Sequence, residues 1–284
     1  MSFGDINRIN TNLQALNARY ALNKINQKIA KNEQQLATGK SINTAADNAA
    51  GFSIASQLTA KIGGLNQASK NVGTAKSMLN VAESGMNSIN DILTKIKAKA
   101  VQGASDTVGA TQRGYIKTQI NNMMDQINNV VSQTKFQGKT LLSGNFAKSS
   151  GTLTFQVGQG NASSDTYKVN ITNLHAKSGG LGISQMSGSA QSDFTGVLSS
   201  VSGAINTLGQ AFNQIGIDQN SLSIRQDSLQ QAMTSNKSAR SSIQDANYAK
   251  LESQKIKLQI QQQTATSAFT QANSSQQAVL RFLK

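Results

Sequence analysis

The chain has 284 residues, a formal net charge of +14, and no Pro, Cys or Trp. Without cysteine there is no disulfide framework and no thiolate metal site, and no apolar run reaches the roughly eighteen residues of a membrane span. Charged residues make up only 14% of the chain, against roughly 25% in an average globular protein.

Asn, Gln, Ser and Thr take the place of charge, a composition suited to helices that touch neighbours on several sides. The missing Pro removes the commonest cause of helix kinks. A basic balance raises a nucleic-acid or anionic-surface role. Here the basic residues are spread from Arg8 to Lys284, without zinc-finger spacing or interleaved aromatics. That distribution describes a solvated basic surface and no nucleic-acid partner. Residues 1–10 lack the basic-then-apolar pattern of a cleavable secretory signal, so any export is expected to use another route, without cleavage.

In chain order, Ile6, Ile9, Leu13, Leu16 and Tyr20 fall in heptad steps. The phase then slips and Leu22, Ile25, Ile29 and Leu36 continue, a local change of supercoil rather than a helix end. Thr38-Gly39-Lys40 reads as the stop, since Gly suits the position past a helix C-terminus. Ser41 to Gly51 is small and polar: a loop with short helical turns, in which Asp47 or Asn43 caps the next helix. A helical segment from Phe52 to Leu58 leads past Gly63 and Gly64 into the clearest signal of the chain. Apolar residues recur at Val72, Ala75, Leu79, Ala82, Met86, Ile89, Leu93, Ile96 and Ala100. Steps of three and four keep them on one narrow stripe, the seam along which helices wind around partners. A helix of that span is about 43 Å long at 1.5 Å per residue.

Gly103 to Gly114 reads as a turn. The next helix carries Ile116, Ile120, Met123, Ile127 and Val130 in seam positions and ends near Phe136-Gln137-Gly138. Between Ser149 and Gly182 the period changes to two. Leu153, Phe155 and Val157 alternate with polar residues, as do Tyr167, Val169 and Ile171, with a glycine-containing loop between, which predicts a β-hairpin at about 150–173. Heptads return at Val197 and run through Val201, Ala204, Leu208, Ala211, Ile215, Leu222 and Leu229, interrupted by Asp218, Arg225 and Asn236. A last run holds Leu251, Leu258, Ala265, Ala272 and Val279, seven apart, with Phe269 and Leu283 beside them.

The predicted fold is mainly α: an elongated antiparallel helical bundle or coiled coil, with one small β-hairpin region and paired N- and C-terminal helices. Residues 1–40 and 248–284 are the paired terminal helices, 41–71 a linking segment, and 72–247 a helical rod carrying the hairpin. The terminal seam comprises Ile6, Ile9, Leu13, Leu16, Tyr20, Ile25 and Ile29 on one side and Leu251, Leu258, Phe269, Val279 and Leu283 on the other. Too little of the chain remains to cover it, so copies of the same protein are expected to do so. No catalytic constellation is legible. His175 is the only histidine, and Glu33, Glu83 and Glu252 are the only glutamates and lie far apart. Gly63-Gly64 and Gly179-Gly180 lack the strand–loop–helix setting of a phosphate cradle. The reading is a non-enzyme without metal or cofactor.

Several segments together resemble the bacterial flagellins, subunits of the flagellar filament. Thr38-Gly39-Lys40-Ser41-Ile42-Asn43-Thr44-Ala45-Ala46-Asp47-Asn48-Ala49-Ala50-Gly51 is similar to the family's segment between its innermost and next domains, with Ser41 where Arg is usual. Gly64 to Asn71, with Ala82-Glu83, also fits. So does Thr134-Lys135-Phe136-Gln137-Gly138-Lys139-Thr140-Leu141-Leu142-Ser143-Gly144, with Gln137 where Asn is usual. Ser242 to Asn247, Gln271-Ala272-Asn273 and Val279 to Leu283 resemble the family's C-terminus. The resemblance implies an extracellular filament subunit for motility, of a short form without outer domains. The implied partners are other flagellin copies, the flagellar export apparatus, an export chaperone, and hook-associated and cap proteins, with no insertion into membrane. A hook–filament junction or other exported rod-like protein is the alternative, and a basic coiled-coil nucleic-acid binder a more distant one. Many members carry an LQRxRELxVQ-like segment that an animal Toll-like receptor recognises. The matching stretch begins Leu93-Thr94-Lys95 and includes Ala98 and Lys99, with Thr94, Ala98 and Lys99 departing from the pattern.

Overall fold

The computed structural model describes residues 11–144, 152–177 and 179–282, with side chains to residue 274. Five helices dominate: α1 (Leu13–Thr38), α2 (Ala49–Gly103), α3 (Ala110–Gln133), α4 (Gln191–Gln244) and α5 (Tyr248–Phe282). Four short strands, β1 (Lys135–Phe136), β2 (Lys139–Thr140), β3 (Thr152–Gln156) and β4 (Thr166–Asn170), form two antiparallel pairs. The fold is mainly α with a small β part. By internal contacts the chain divides into two units, one of residues up to Ala60 with those from Ser235 on, the other Lys61–Thr234.

The second unit is built on the α2 stripe. All nine residues from Val72 to Ala100 that the heptad steps select are completely buried. Antiparallel α3 and α4 cover them. Arg113 near the start of α3 donates to the Gly103 carbonyl at the end of α2, while on α4 Gln219 donates to Glu83 and Asn80 of α2 at 2.8 and 3.1 Å. Ala75 and Ala82 alternate with large residues in the first half of the stripe, so the backbones can approach there. At Gly103 an added Cβ would lie 2.4 Å from the Phe194 ring, which closes this end of the core. α4 contributes Val197, Val201, Ala204, Leu208, Ala211, Ile215, Leu222 and Leu229, all buried. In α3 the buried set is Ile116, Ile120, Met124, Ile127 and Val131. Met123 and Val130, the expected seam residues, are only partly buried against it. The pairs Met123–Met124 and Val130–Val131 each offer two apolar neighbours, and packing against two helices at once selects the later one.

The larger hairpin, expected at about 150–173, pairs β3 with β4, with Leu153 opposite Val169 and Phe155 opposite Tyr167. A heptad interruption fastens it. Asp218 is buried on α4, and its Oδ1 accepts from Tyr167 Oη at 2.9 Å and from Gln214 Nε2 at 3.1 Å. Burial, then the Asp218 charge, raise the Tyr167 phenol above its ordinary value. Arg225, one heptad on, donates to the Ser164 carbonyl in the hairpin loop. A second, smaller hairpin follows α3, where Phe136 pairs with Lys139 across Gln137-Gly138. Both turn residues have positive φ, 48° and 79°, the conformation a two-residue turn needs to match strand twist. Sequence alternation cannot announce strands of two residues.

The first unit turns at a polar joint. Gly39 ends α1 in the left-handed region, φ 67°, as its position suggests. Neither Asp47 nor Asn43 caps α2. Asn48 does, its Oδ1 accepting the Gly51 N–H at 3.0 Å. Asp47 instead collects donors from the preceding turn: Oδ2 accepts from the Asn43 and Thr44 N–H groups at 3.0 Å and from Thr44 Oγ1 at 3.2 Å. Its Oδ1 sits 2.7 Å from Lys31 Nζ on α1. Ser41 N–H and hydroxyl both reach the Gln244 carbonyl, Ala246 N–H reaches the Gly39 carbonyl, and Gln244 Nε2 donates to the Ile42 carbonyl.

Two measurements check these elements. Gln137 is the one non-glycine with positive φ among the described residues, a conformation that costs an ordinary L-residue roughly 1 kcal/mol and Asn or Gly much less. Gln137→Asn is therefore expected to raise the unfolding midpoint, by an amount equivalent to roughly 0.5–1 kcal/mol. At the joint, Lys31 and then the backbone donors hold the Asp47 carboxyl well below the usual carboxylate range. A depressed folded-state value contributes stability that is present above the unfolded value and lost as pH falls through it and on towards the folded one. The amide resonances of Asn43 and Thr44 are expected to keep their folded positions below about pH 4, where an ordinary carboxylate protonates, and to move only as acid reaches the depressed range, a step that Asp47→Asn lacks.

Candidate assembly surface

The terminal helices are tied together at three levels. Asn12 starts α1, its Oδ1 accepting the Ala15 N–H at 2.8 Å, while its Nδ2 donates to the Ala272 carbonyl of α5 at 2.9 Å. Asn26 Oδ1 accepts from Gln262 Nε2 at 2.8 Å. Asn32 Nδ2 donates to the Leu251 carbonyl at 3.2 Å. Partner numbers fall along α5 as they rise along α1, so the pairing is antiparallel. α5 itself is started by Asn247, whose Oδ1 accepts the Lys250 N–H at 3.1 Å.

Apolar residues occupy the contact between the two helices. Leu251, Ala15 and Ala272 are buried, and Leu13, Ile25, Ile29, Leu258 and Phe269 are half-buried. These members of the expected seam hold α1 to α5. Leu16 and Tyr20 are not covered, with 53% and 61% of their surface exposed. Ile6, Ile9 and Leu283 lie outside the described residues, as does the Val279 side chain. A second uncovered face runs along α5 at Ile256 and Ile260, 56% and 59% exposed, with Tyr248 at the helix start. Their four-residue spacing is in the sequence, offset from the Leu251–Leu258 row, and a search for one seam per helix passes over it. Asn32 is the other residue that pattern reading misses. It is 4% exposed, and its Oδ1 accepts no hydrogen bond from any described residue.

Chemistry beyond packing is sparse. Among the described residues no three His, Cys, Asp or Glu side chains gather where a metal ion could be held. His175 is half-buried, with Nδ1 3.4 Å from Asn128 Oδ1 of α3, a contact that fixes the loop after β4. In the Leu93–Lys99 stretch of α2, Leu93 is completely buried, Thr94, Lys95 and Ala98 are exposed, and Lys99 is half-buried. No described helix is long and apolar enough to cross a membrane.

Comparison with known proteins adds an independent line. Residues 9–147 match the family model of the bacterial flagellin N-terminal helical region, and residues 198–283 that of the C-terminal helical region. The chain is 34% identical over 143 residues to the flagellar filament 33 kDa core protein of Treponema phagedenis, covering 50% of each. It is 32% identical over 168 residues to flagellin A of Vibrio anguillarum, covering 59% of this chain and 43% of that one. With a flagellin of Clostridium tyrobutyricum it shares 36% over 136 residues, 48% of this chain and 36% of the other. The chain thus spans half or less of the length of these relatives. The crystal structure of Bacillus cereus flagellin aligns over 56% of this chain and 88% of its own with a TM-score of 0.49 and 20% identity, a likeness that carries no further weight. The two matched regions lie in family order and take in nearly all of α1 to α3 and of α4 and α5, and the chain belongs to the bacterial flagellin family.

Proposed function

We propose that the protein is a structural subunit that self-assembles into an extracellular flagellar filament for motility. The observation that carries this reading is the uncovered apolar surface of the terminal pair at Leu16, Tyr20, Ile256 and Ile260. Each helix of the pair leaves apolar side chains without a partner among the described residues, and exposed apolar surface of this kind marks an interaction site. Copies of the same chain are the partner available to both helices at once. The relatives named as filament core protein and flagellins favour a filament subunit over a junction protein. Export without a cleaved signal, through the flagellar export apparatus with a chaperone, and contacts with hook-associated and cap proteins belong to the same proposal.

The terminal helices are the proposed joint. Ile260→Asp places a charge on the uncovered face, and Leu258→Asp weakens the α1–α5 contact. Burial of such a side chain contributes roughly 1.5–3 kcal/mol, so either change is expected to suppress seeded filament growth, where a change at exposed Lys177 does not. Removal of residues 6–29 or 251–283 is expected to leave a soluble helical protein that does not polymerise. Electron microscopy after seeding reads both, and normal filaments from either truncated protein would defeat the proposal.

The Leu93–Lys99 stretch is proposed as a poor match for the animal receptor. Leu93 is committed to the core, Thr94 and Ala98 take surface positions without the family's Gln and acid, and Lys95 and Lys99 are like charges four apart on one helix, a spacing that disfavours the helix slightly. Monomeric protein is expected to activate reporter cells bearing that receptor weakly or not at all, and strong activation would contradict this.

A further inference from the structure

Residues of the first unit enclose a cleft of about 470 Å³ whose chemistry the terminal seam does not use. One wall is the start of α2, with Phe52, Ala55, Ser56, Thr59 and Ala60, and the other is the end of α4, with Arg240 and Gln244, next to Lys40. Two cations line it and no acid does. Arg240 is half-buried and makes no hydrogen bond or ion pair with any described residue. Two other arginines are engaged: Arg113 donates to two carbonyls, and Arg225 to one. The joint's two carboxylates are already taken, Asp47 by Lys31 and Asp245 by the Ser241 hydroxyl at 2.6 Å. Gln244 Nε2 donates to the Ile42 carbonyl and Thr59 Oγ1 to the Ala55 carbonyl at 2.7 Å, and neither side chain accepts a hydrogen bond from Arg240. A guanidinium is a planar fork of donors matched to a carboxylate, and no described carboxylate meets this one.

We propose that the Lys40–Phe52–Arg240 cleft is a carboxylate-binding site, filled in the polymer by an acidic side chain of a second copy of this chain. The Phe52 and alanine wall suits the methylene stem of such a side chain, and the volume exceeds what a small inorganic ion needs. The subunit carries 27 basic residues against 13 acidic ones, so copies that approach must place their few free carboxylates on cations. Glu33, Asp91 and Asp227 are exposed and have no ion pair with a described residue, which makes them the available donors of charge. The choice of a second copy rests on the filament reading above, whereas the carboxylate chemistry of the cleft does not.

Two arms of one experiment separate them. In the first, glutarate is added to full-length monomer and followed by saturation-transfer NMR. Wild type is expected to give a signal that Arg240→Gln and Lys40→Gln lose, with thermal melts unchanged because neither side chain has a partner among the described residues. An equal signal from Arg240→Gln overturns the site. In the second, the critical concentration for seeded polymerisation is expected to rise about tenfold in Arg240→Gln, as for truncating one partner of an interfacial charge pair. One of Glu33→Gln, Asp91→Asn or Asp227→Asn is expected to reproduce that rise, without adding to it in the double variant. Glutarate binding with wild-type polymerisation in Arg240→Gln overturns the second-copy occupant. A wild-type protein that forms no polymer counts against the filament reading, and the glutarate arm still decides the cleft.

Discussion

A stripe of apolar residues one side chain wide is the constraint on which the rest depends. Along α2 from Val72 to Ala100 it presents one apolar residue every three or four positions, a narrower stripe than a globular helix usually turns inward. Such a helix has no interior of its own and is stable only where other stripes meet it. In the Lys61–Thr234 unit two do, from α3 and α4, and every α2 stripe residue there is completely buried. The hairpin adds Val157 and Val169, and the chain after it Leu174 and Ile183, closing the side that three helices leave open.

The terminal pair meets the same constraint with fewer helices. Among the described residues, α1 and α5 bury few apolar side chains beyond Ala15, Leu251 and Ala272, leave several others half-covered, and expose leucine, isoleucine and tyrosine. The difference is one of partner number, since the stripes are of similar width. A helix with one partner keeps one face wet; a helix with two can bury its stripe entirely. The low share of charged residues fits helices that await neighbours, because few charges must be desolvated when an outer face is covered.

Most of this was legible in the sequence wherever a period persisted for several turns. The Val72–Ala100 stripe, the α4 heptads and the β3–β4 hairpin all rest on repeated spacing, and each is found where the spacing puts it. What escaped was local or depended on partners. Asn48 rather than Asp47 caps α2 because Lys31, distant in sequence, claims the aspartate. Met124 displaces Met123 because three helices, not one, decide which methionine points inward. The β1–β2 hairpin is too short for any alternation to appear. The cleft between Phe52 and Arg240 joins residues nearly two hundred positions apart, and neither residue stands out in its own segment.

The polar residues inside the seams serve a different end from the apolar ones. Asp218 and Asn32 are the two buried polar or charged residues of the described chain, and each leaves one oxygen without a partner. An apolar residue at either place would remove that cost, so stability alone does not account for them. Asp218 accepts from Tyr167 of the hairpin, a side-chain partner that a shift by one repeat would lose, and Asn32 donates to the Leu251 carbonyl of α5. A heptad seam slides by a whole repeat with little change in apolar contact, and a single polar residue in the seam penalises every alignment but one. In a protein built from long, nearly repetitive stripes, Asp218 costs stability and sets where α4 stops against the hairpin.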